Sequence, residues 1–139
     1  MAQDQLENVV DRSGTGSVYD LLAAQAQRHP DKDAFVVVPP EGAATTITYG
    51  DLVQKVDRCA VAFENAGIVE GDACLLHVGT SLEFIIAWCG LLRLGAVAVP
   101  TNLLSPAPEI AHSITVSEAS HVITEPRFVD TVECRASPD

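Results

Sequence analysis

Basic residues are scarce in this sequence. Its 139 residues include 8 Lys and Arg against 19 Asp and Glu, for a formal net charge of −11. Nucleic-acid binding needs a positive surface that meets the phosphates, so we expect no nucleic-acid partner. An anionic membrane surface would repel the chain for the same reason. The simplest interpretation of the acidic balance is that it keeps the protein in solution.

Long apolar runs are also lacking. The longest, Phe84–Leu92, is far shorter than the ~20 residues of a membrane-spanning helix, and residues 1–14 are polar and acidic, unlike a signal peptide. The four cysteines form no CxxC pair of the kind used for metal binding or redox chemistry. They are Cys59, Cys74, Cys89 and Cys134. We therefore predict a cytoplasmic protein with reduced thiols and no membrane span.

Aromatic residues amount to only 5% of the chain, whereas hydrophobic residues reach 47%. Such a composition is typical of a globular protein whose core is aliphatic and rich in alanine. The length fits one domain or a large part of one, and it is sufficient to bury a substantial core.

The first half of the chain predicts a polar arm, a helix and a hairpin. The arm covers residues 1–16, and the helix begins after the N-cap Ser17 and ends before Pro30. Two short β-branched runs, 34–38 and 45–48, flank a turn and predict paired strands.

From Thr48 onward the pattern changes to alternating helices and strands. Thr48 is expected to cap a helix that ends at Gly67, with Asp51 in the place of the capping-box acid. The following elements are a strand at 73–78, a helix at 82–94 between Ser81 and Gly95, a strand at 96–99, a helix at 106–117 with Ile110, Ile114 and Val116 as its apolar members, and a strand at 121–124.

This alternation predicts an α/β fold. Strands separated by helices from residue 73 onward indicate right-handed crossovers and a parallel sheet with helices on both faces. The near-continuous apolar strand at 73–78 is typical of a strand buried on both sides. We assign residues 17–125 to one incomplete parallel-sheet subdomain and residues 126–139 to an irregular or truncated tail in which a short helix begins after Pro126.

Few residues have the spacing that chemistry requires. The turn Ser13–Ser17 precedes a helix but follows no strand and lacks the P-loop lysine, so we interpret it as a leader into an N-cap. The sequence contains no GxSxG, SxxK or HExxH motif. His77 stands at the end of a core strand, where α/β proteins bind ligands, but we favour a structural role for it. No catalytic, cofactor-binding or metal-binding residue is assigned.

Six segments together resemble the acyl-adenylating (AMP-forming) ligase superfamily, which includes acyl-CoA synthetases and adenylation domains. Each is similar to a family pattern, and all occur in the family's order over residues 17–124. They are His29–Ala34 ("PDxxA"), Ile47–Leu52 ("TYxEL"), Ala66–Asp72 ("xGVxxGDxV"), Gly79–Phe84 ("NSxEF"), Gly90–Asn102 ("GxxxxGAVxxPxN") and Ser113–Thr124 ("SxAKxxIT"). Gly79 and Thr80 depart mildly from the family's polar segment. The matching residues are helix caps, turns and core strands.

The resemblance implies an N-terminal portion of an acyl- or aryl-acid–CoA ligase. Such ligases use ATP and magnesium to form an acyl-adenylate, and they then transfer the acyl group to coenzyme A or a carrier thiol. The family's phosphate loop, its acidic ribose and magnesium segments and its C-terminal lysine match nothing in these 139 residues. We therefore expect this chain alone to bind no cofactor and to be inactive.

Two other interpretations remain open. The chain could be a non-catalytic interaction module that pairs with a separately encoded remainder or with a full-length relative. An unrelated small α/β protein, such as a flavodoxin-like domain, fits less well because of the early paired strands. Both the ligase portion and the interaction module would leave the sheet without neighbours. For these two interpretations we expect either the remainder of the ligase as partner or self-association through exposed apolar surface.

Overall fold

The computed structural model describes residues 16–133, which form a small parallel sheet with helices on both faces and a separate antiparallel hairpin. In chain order the elements are α1 (Val18–Arg28), β1 (Asp33–Val37), β2 (Thr45–Thr48), α2 (Tyr49–Asn65), β3 (Ala73–His77), α3 (Leu82–Leu94), β4 (Val97–Pro100), α4 (Ala107–Ser117), β5 (His121–Thr124), a 3₁₀ turn (Pro126–Phe128) and α5 (Val129–Glu133). The predicted arm falls almost wholly on residues 1–15, which lie outside the described range, as do residues 134–139.

The early hairpin is confirmed. Strands β1 and β2 pair antiparallel, with Phe35 opposite Ile47 and Val37 opposite Thr45. Ile47 is buried in one cluster with Leu52, Val56 and Cys89. Because Leu52 and Val56 lie on α2 and Cys89 on α3, this cluster joins the hairpin to both helices.

The parallel sheet has the order β4-β3-β5. Leu75 in β3 is in register with Val99 on one side and with Val122 on the other. The first strand of this sheet in sequence is therefore its centre, and β3 is buried almost throughout. Within residues 16–133, β4 and β5 each pair with one neighbour only.

Helices cover both faces of the sheet, as predicted. On one face Cys74 packs with Leu91 of α3. On the other face Leu75 packs with Ile110 and Ile114 of α4. Neighbouring residues of β3 point to opposite faces, which explains why the strand sequence is apolar without alternation.

The segments that resemble the ligase superfamily set the ends of these elements. Thr48 and Ser81 each accept a hydrogen bond from the N–H three residues on, at 3.2 Å. Gly95 ends α3 with φ +73°, a conformation that a side chain would strain. In the turn before β3, the Asp72 carboxylate accepts the Val69 N–H at 2.9 Å. Their roles are therefore local and structural, as the sequence indicated.

Three details differ from the sequence-based predictions. Val116 is 69% exposed, because it lies on the side of α4 that faces away from the buried Ile110 and Ile114. The reciprocal capping box occurs at α1, between Ser17 and Asp20, whereas for Thr48 and Asp51 the structure gives only the bond to the Asp51 N–H. Strand β4 begins one residue later than predicted because the Ala96 N–H still bonds to the Leu91 carbonyl.

The last described residues are ordered into helical turns. Residues 126–133, part of the segment assigned to an irregular or truncated tail, form the 3₁₀ turn and α5, which agrees with the short helix expected after Pro126. Val132 packs against the Leu75 face of the sheet. None of the helices within residues 16–133 is long and apolar enough to cross a membrane.

Candidate functional site

The strand order creates one position where a ligand site is expected. From β3 the chain crosses through α3 to β4 on one side, and from β4 it returns through α4 to β5 on the other side. In open α/β sheets, ligands bind outside the carboxyl ends of the strands at such a reversal. A crevice of about 370 Å³ lies there, between the loop after β3 and the loop after β5. Its lining comprises Val78, Gly79, Thr80, Ser81, Glu83, Leu103, Glu125 and Arg127.

A carboxylate of the chain itself occupies the polar part of this crevice. Oε1 of Glu125 accepts the Gly79 N–H at 2.6 Å, and Oε2 accepts Arg127 Nε at 2.7 Å. The Arg127 guanidinium, and then the Gly79 N–H, hold the pKa of Glu125 below its usual value. The one cation in the crevice lining is therefore already paired.

A side chain at Gly79 would crowd the Glu125 and Arg127 side chains. A Cβ atom there would lie 3.0 Å from Nη2 of Arg127 and 3.0 Å from Oε1 of Glu125. Gly79, at which the sequence departs from the family's polar segment, is thus the residue whose N–H binds the Glu125 carboxylate.

His77 lies beneath the crevice, in the interior. Its ring is fully buried, with Nδ1 2.9 Å from Oγ1 of Thr101 and the ring centroid 5.0 Å from that of Phe128 in an edge-on arrangement. Its carbonyl accepts the Thr124 hydroxyl at 2.9 Å. Nε2 has no hydrogen-bond partner among residues 16–133. His77 thus contacts Thr101 after β4 through its ring and Thr124 of β5 through its backbone carbonyl.

The electrostatics of His77 follow from its surroundings. Burial lowers the pKa of the imidazole, and the negative charge of Glu125 acts in the opposite direction. The net shift is downward, so the ring is neutral at pH 7. A neutral ring sealed from solvent is poorly placed to exchange protons with a molecule in the crevice.

The other candidate segments are not brought to this site. In the Ser13–Ser17 turn, the described residues are Gly16 and Ser17, and the Asp20 carboxylate accepts the Ser17 N–H at 2.7 Å. The helix start that a phosphate would need thus holds a carboxylate. His29 and His112 are exposed on separate helical segments, and His121 lies at the opposite end of the sheet. In the part of the chain that the structure describes, no three His, Cys, Asp or Glu side chains converge to hold a metal.

Sequence reasoning missed one polar cluster. Oδ1 of Asp57 accepts both the Tyr19 hydroxyl at 2.5 Å and Arg93 Nε at 2.8 Å. The Arg93 guanidinium also lies 5.4 Å from the centre of the Tyr19 ring. Burial, and then the bond to Asp57, raises the pKa of Tyr19. The cluster joins α1, α2 and α3, and residues so far apart in sequence give no local signal of it.

The three described thiols are free and apolar in character. Cys59, Cys74 and Cys89 form no disulfide, and burial raises the pKa of each. A raised pKa leaves the unreactive thiol form at neutral pH, so none has the properties of a nucleophile. The predicted reduced state is therefore compatible with their packing.

The groups implied by the resemblance, ATP and magnesium, find no matching donor set in the crevice lining. The crevice lining has one guanidinium, which is bound to Glu125, and two carboxylates, Glu83 and Glu125, without a third metal-ligating side chain beside them. Binding a triphosphate takes several free donors or cations around the phosphates. No step of adenylation can be assigned to these residues.

Known proteins share both the sequence pattern and the fold of this chain. The profile of a family described as AMP-binding enzyme matches residues 22–138. The chain is 33% identical over 103 residues to the crotonobetaine/carnitine–CoA ligase of Salmonella paratyphi A, a match that covers 74% of this chain and 20% of that protein. It is 35% identical over 118 residues to chalcone synthase cfoA of Aspergillus candidus, covering 85% of this chain and 4% of that protein. The chain thus spans a fifth or less of these two relatives.

Solved structures match the same region. The inhibitor-bound N-terminal domain of FACL13 from Mycobacterium tuberculosis superposes with a TM-score of 0.78 at 30% identity, covering 88% of this chain and 30% of that one. The N-terminal subdomain of NpsA from Klebsiella oxytoca, in complex with anthranilyl-AMSN, gives a TM-score of 0.73 at 27% identity, covering 79% and 28%.

Proposed function

This chain belongs to the AMP-binding enzyme family, as an N-terminal portion of an adenylating ligase, and we propose that it serves as the opening scaffold of an acid–thiol ligase. In the reaction proposed for the whole enzyme, a carboxylate oxygen attacks the α-phosphorus of ATP and pyrophosphate leaves. A thiol sulfur then attacks the acyl carbon of the mixed anhydride, and AMP leaves. Coenzyme A is the acceptor we favour, because one of the similar proteins is named as a CoA ligase.

One observation carries this proposal: the match to the FACL13 N-terminal domain extends over 88% of the chain yet only 30% of that domain. What this chain shares with that domain is therefore the sheet and its helices. We infer that residues 16–133 build one side of the enzyme and hold no part of the reacting atoms. The polar crevice supports this inference, because its guanidinium is neutralised by Glu125.

We further propose that the 139-residue chain alone does not adenylate any acid. Electrostatic stabilisation of adenylyl transfer requires positioned cations and donors at the phosphates. The donor set described above does not supply them. The working partner would be the remainder of the ligase fold, packed along the sheet edges at β4 and β5, where Val97 and Val122 are exposed.

Pyrophosphate exchange tests the proposal that the chain alone is inactive. The purified 139-residue chain is incubated with ATP, magnesium, labelled pyrophosphate and a panel of fatty and aryl acids, and we expect no label in ATP. A full-length ligase of the family is the positive control. Exchange by the chain alone would overturn the inactivity proposal.

A complementation arm tests the scaffold role. The remaining part of a homologous CoA ligase, produced without its own first segment, is mixed with this chain, and we expect complex formation and recovery of exchange activity. Failure to form any complex, with both parts shown to be folded by circular dichroism, would count against the scaffold proposal.

The alternative of an interaction module makes a different prediction. If the chain pairs with a full-length relative as a regulator, adding it to an intact ligase would change the activity of that ligase. The exposed edges of β4 and β5 favour pairing of some kind, and the exchange assay distinguishes the two cases because an intact ligase needs no scaffold.

A further inference from the structure

We propose that residues Glu125–Phe128 form a latch over the carboxyl ends of the parallel strands, and that protonation of His77 opens it as the pH falls. In the closed state the latch seals the interior beneath the crevice. In the open state the loops after β3 and β5 separate. This device is independent of the adenylation chemistry proposed above.

Two contacts hold the latch closed. Glu125 at its start accepts the Gly79 N–H at 2.6 Å, which ties the loop after β5 to the loop after β3. Phe128 at its end lies edge-on against the buried His77 ring at 5.0 Å. Between them Arg127 bonds Glu125 and lies with its guanidinium 4.6 Å from the centre of the Phe128 ring. The Phe128 N–H also bonds to the Glu125 carbonyl at 2.9 Å, so the segment moves as one turn.

The surroundings of His77 accept a neutral ring but not a second N–H. Nδ1 is satisfied by Thr101, whereas Nε2 is buried without a partner among residues 16–133. An imidazolium carries an N–H on both nitrogens, so its charge and one donor would be left without a hydrogen bond in the interior. Opening the latch gives that donor access to water.

Few charged groups face this ring. Glu125 is the anion whose charge acts on the ring, and its carboxylate is bound to Arg127. The strand ends on either side contribute the uncharged hydroxyls of Thr101 and Thr124. The side chains that α3 and α4 turn toward β3 are the apolar Leu91, Ile110 and Ile114. The attraction of Glu125 therefore opposes burial only in part.

The direction of the pH effect follows from the lowered pKa of the closed state. A group whose pKa is lower in the closed state than in the open state takes up a proton on opening, so acid favours the open state below the ordinary histidine value of about 6.5. The opening constant should therefore rise between pH 7.5 and pH 5.5, by at most about tenfold. Glu125 stays ionised over this interval, because its pKa is shifted down from 4.5.

Amide hydrogen exchange, read residue by residue by NMR on the full chain, measures the opening. The Gly79 amide reports the latch, and the Leu75 amide at the centre of the sheet reports global unfolding. After correction for intrinsic exchange, we expect protection at Gly79 to fall from pH 7.5 to 5.5, by at most about tenfold, with that of Leu75 unchanged. Constant protection, or an equal loss at Leu75, would overturn the latch.

A variant identifies the sensor. His77→Gln keeps a polar side chain of similar size for Thr101 and removes the titration, so the pH dependence at Gly79 should vanish. His121→Gln, on the same sheet but at its opposite end, should retain it. Should His77→Gln fail to fold, the wild-type imidazole resonances decide the matter: opening that does not follow the titration of His77 refutes the assignment.

Discussion

Tyr19 on α1 donates its hydroxyl to Oδ1 of Asp57 on α2 at 2.5 Å, although 38 positions separate them in the chain. No residue of α1 is fully buried, so this bond and the Arg93 guanidinium beside it add to the packing of Tyr19 and Leu22 in holding the helix to the rest of the domain.

Removal of the Tyr19 hydroxyl should loosen α1. We expect Tyr19→Phe to lower the free energy of unfolding by about 1 kcal/mol, because a partly buried hydrogen bond to a charged group is lost. Urea denaturation followed by circular dichroism measures the change. Tyr49→Phe is the matched control, since the Tyr49 hydroxyl has no hydrogen-bond partner within residues 16–133. An equal effect in both variants would show that the bond to Asp57 contributes nothing.

The capping box at α1 should make part of the stability depend on pH. The Ser17 N–H, and then its hydroxyl, lower the pKa of Asp20 below 3.8. A carboxyl with a lowered pKa in the folded state stabilises that state above the unfolded value, and the contribution disappears as the pH falls through the folded value. The stability difference between wild type and Asp20→Asn should therefore be present at neutral pH and fade below 3.8. Ser17→Ala should cost about 1 kcal/mol at neutral pH. Denaturation curves at a series of pH values test both, and a difference that grows in acid would contradict the assignment.

The centre of the sheet should be the most sensitive part of the core. Leu75 is completely buried against α4, so Leu75→Ala should destabilise the fold by about 2–5 kcal/mol. Leu104 follows β4 and is 89% exposed, and Leu104→Ala should change stability by less than about 0.5 kcal/mol. Both are measured by thermal and urea unfolding. A small effect at Leu75 would mean that the sheet is not the core of the folded chain.

The two sheet edges should promote association. Val97 is 53% exposed and Val122 is 38% exposed, each on a strand that has one neighbour in the described part of the chain. Exposed apolar edges are templates for pairing with other strands, and a lysine on such an edge disfavours it. We expect the wild type to elute from size-exclusion columns as concentration-dependent oligomers, and Val97→Lys with Val122→Lys to shift it toward monomer. Val61→Lys, a change at an exposed position on α2, is the control. A wild type that stays monomeric at all concentrations would refute self-association.

Local signals made most of the fold predictable. Ser81 and Gly95 mark the ends of α3 by their hydrogen bonding and backbone conformation, and the predicted bounds of this helix agree with the structure. The apolar run of β3 correctly indicated a strand covered on both faces. Val116 was misjudged because α4 packs on a single side, and the width of a helix contact cannot be read from which residues are apolar.

The candidate site was less accessible to sequence reasoning. His77 was noticed for its position at a strand end, but its bond to Thr101 spans 24 residues and its contact with Phe128 joins separate elements. The hydrogen bond from the Gly79 N–H to Glu125 joins residues 46 positions apart. These pairs depend on the strand order β4-β3-β5, which fixes which loops meet. The Gly79 departure from the family pattern was the one signal in the sequence, and its meaning required the position of Glu125.

The central place of β3 has a consequence during synthesis. Of the three strands in the parallel sheet, β3 leaves the ribosome first. The strands that border it on either side, at 97–100 and 121–124, follow later. At about 5–20 residues per second, Ala73–His77 waits for seconds before both flanks are available. During that interval one of the most apolar segments of the chain is open on two edges, although α1, the hairpin and α2 have already been synthesised.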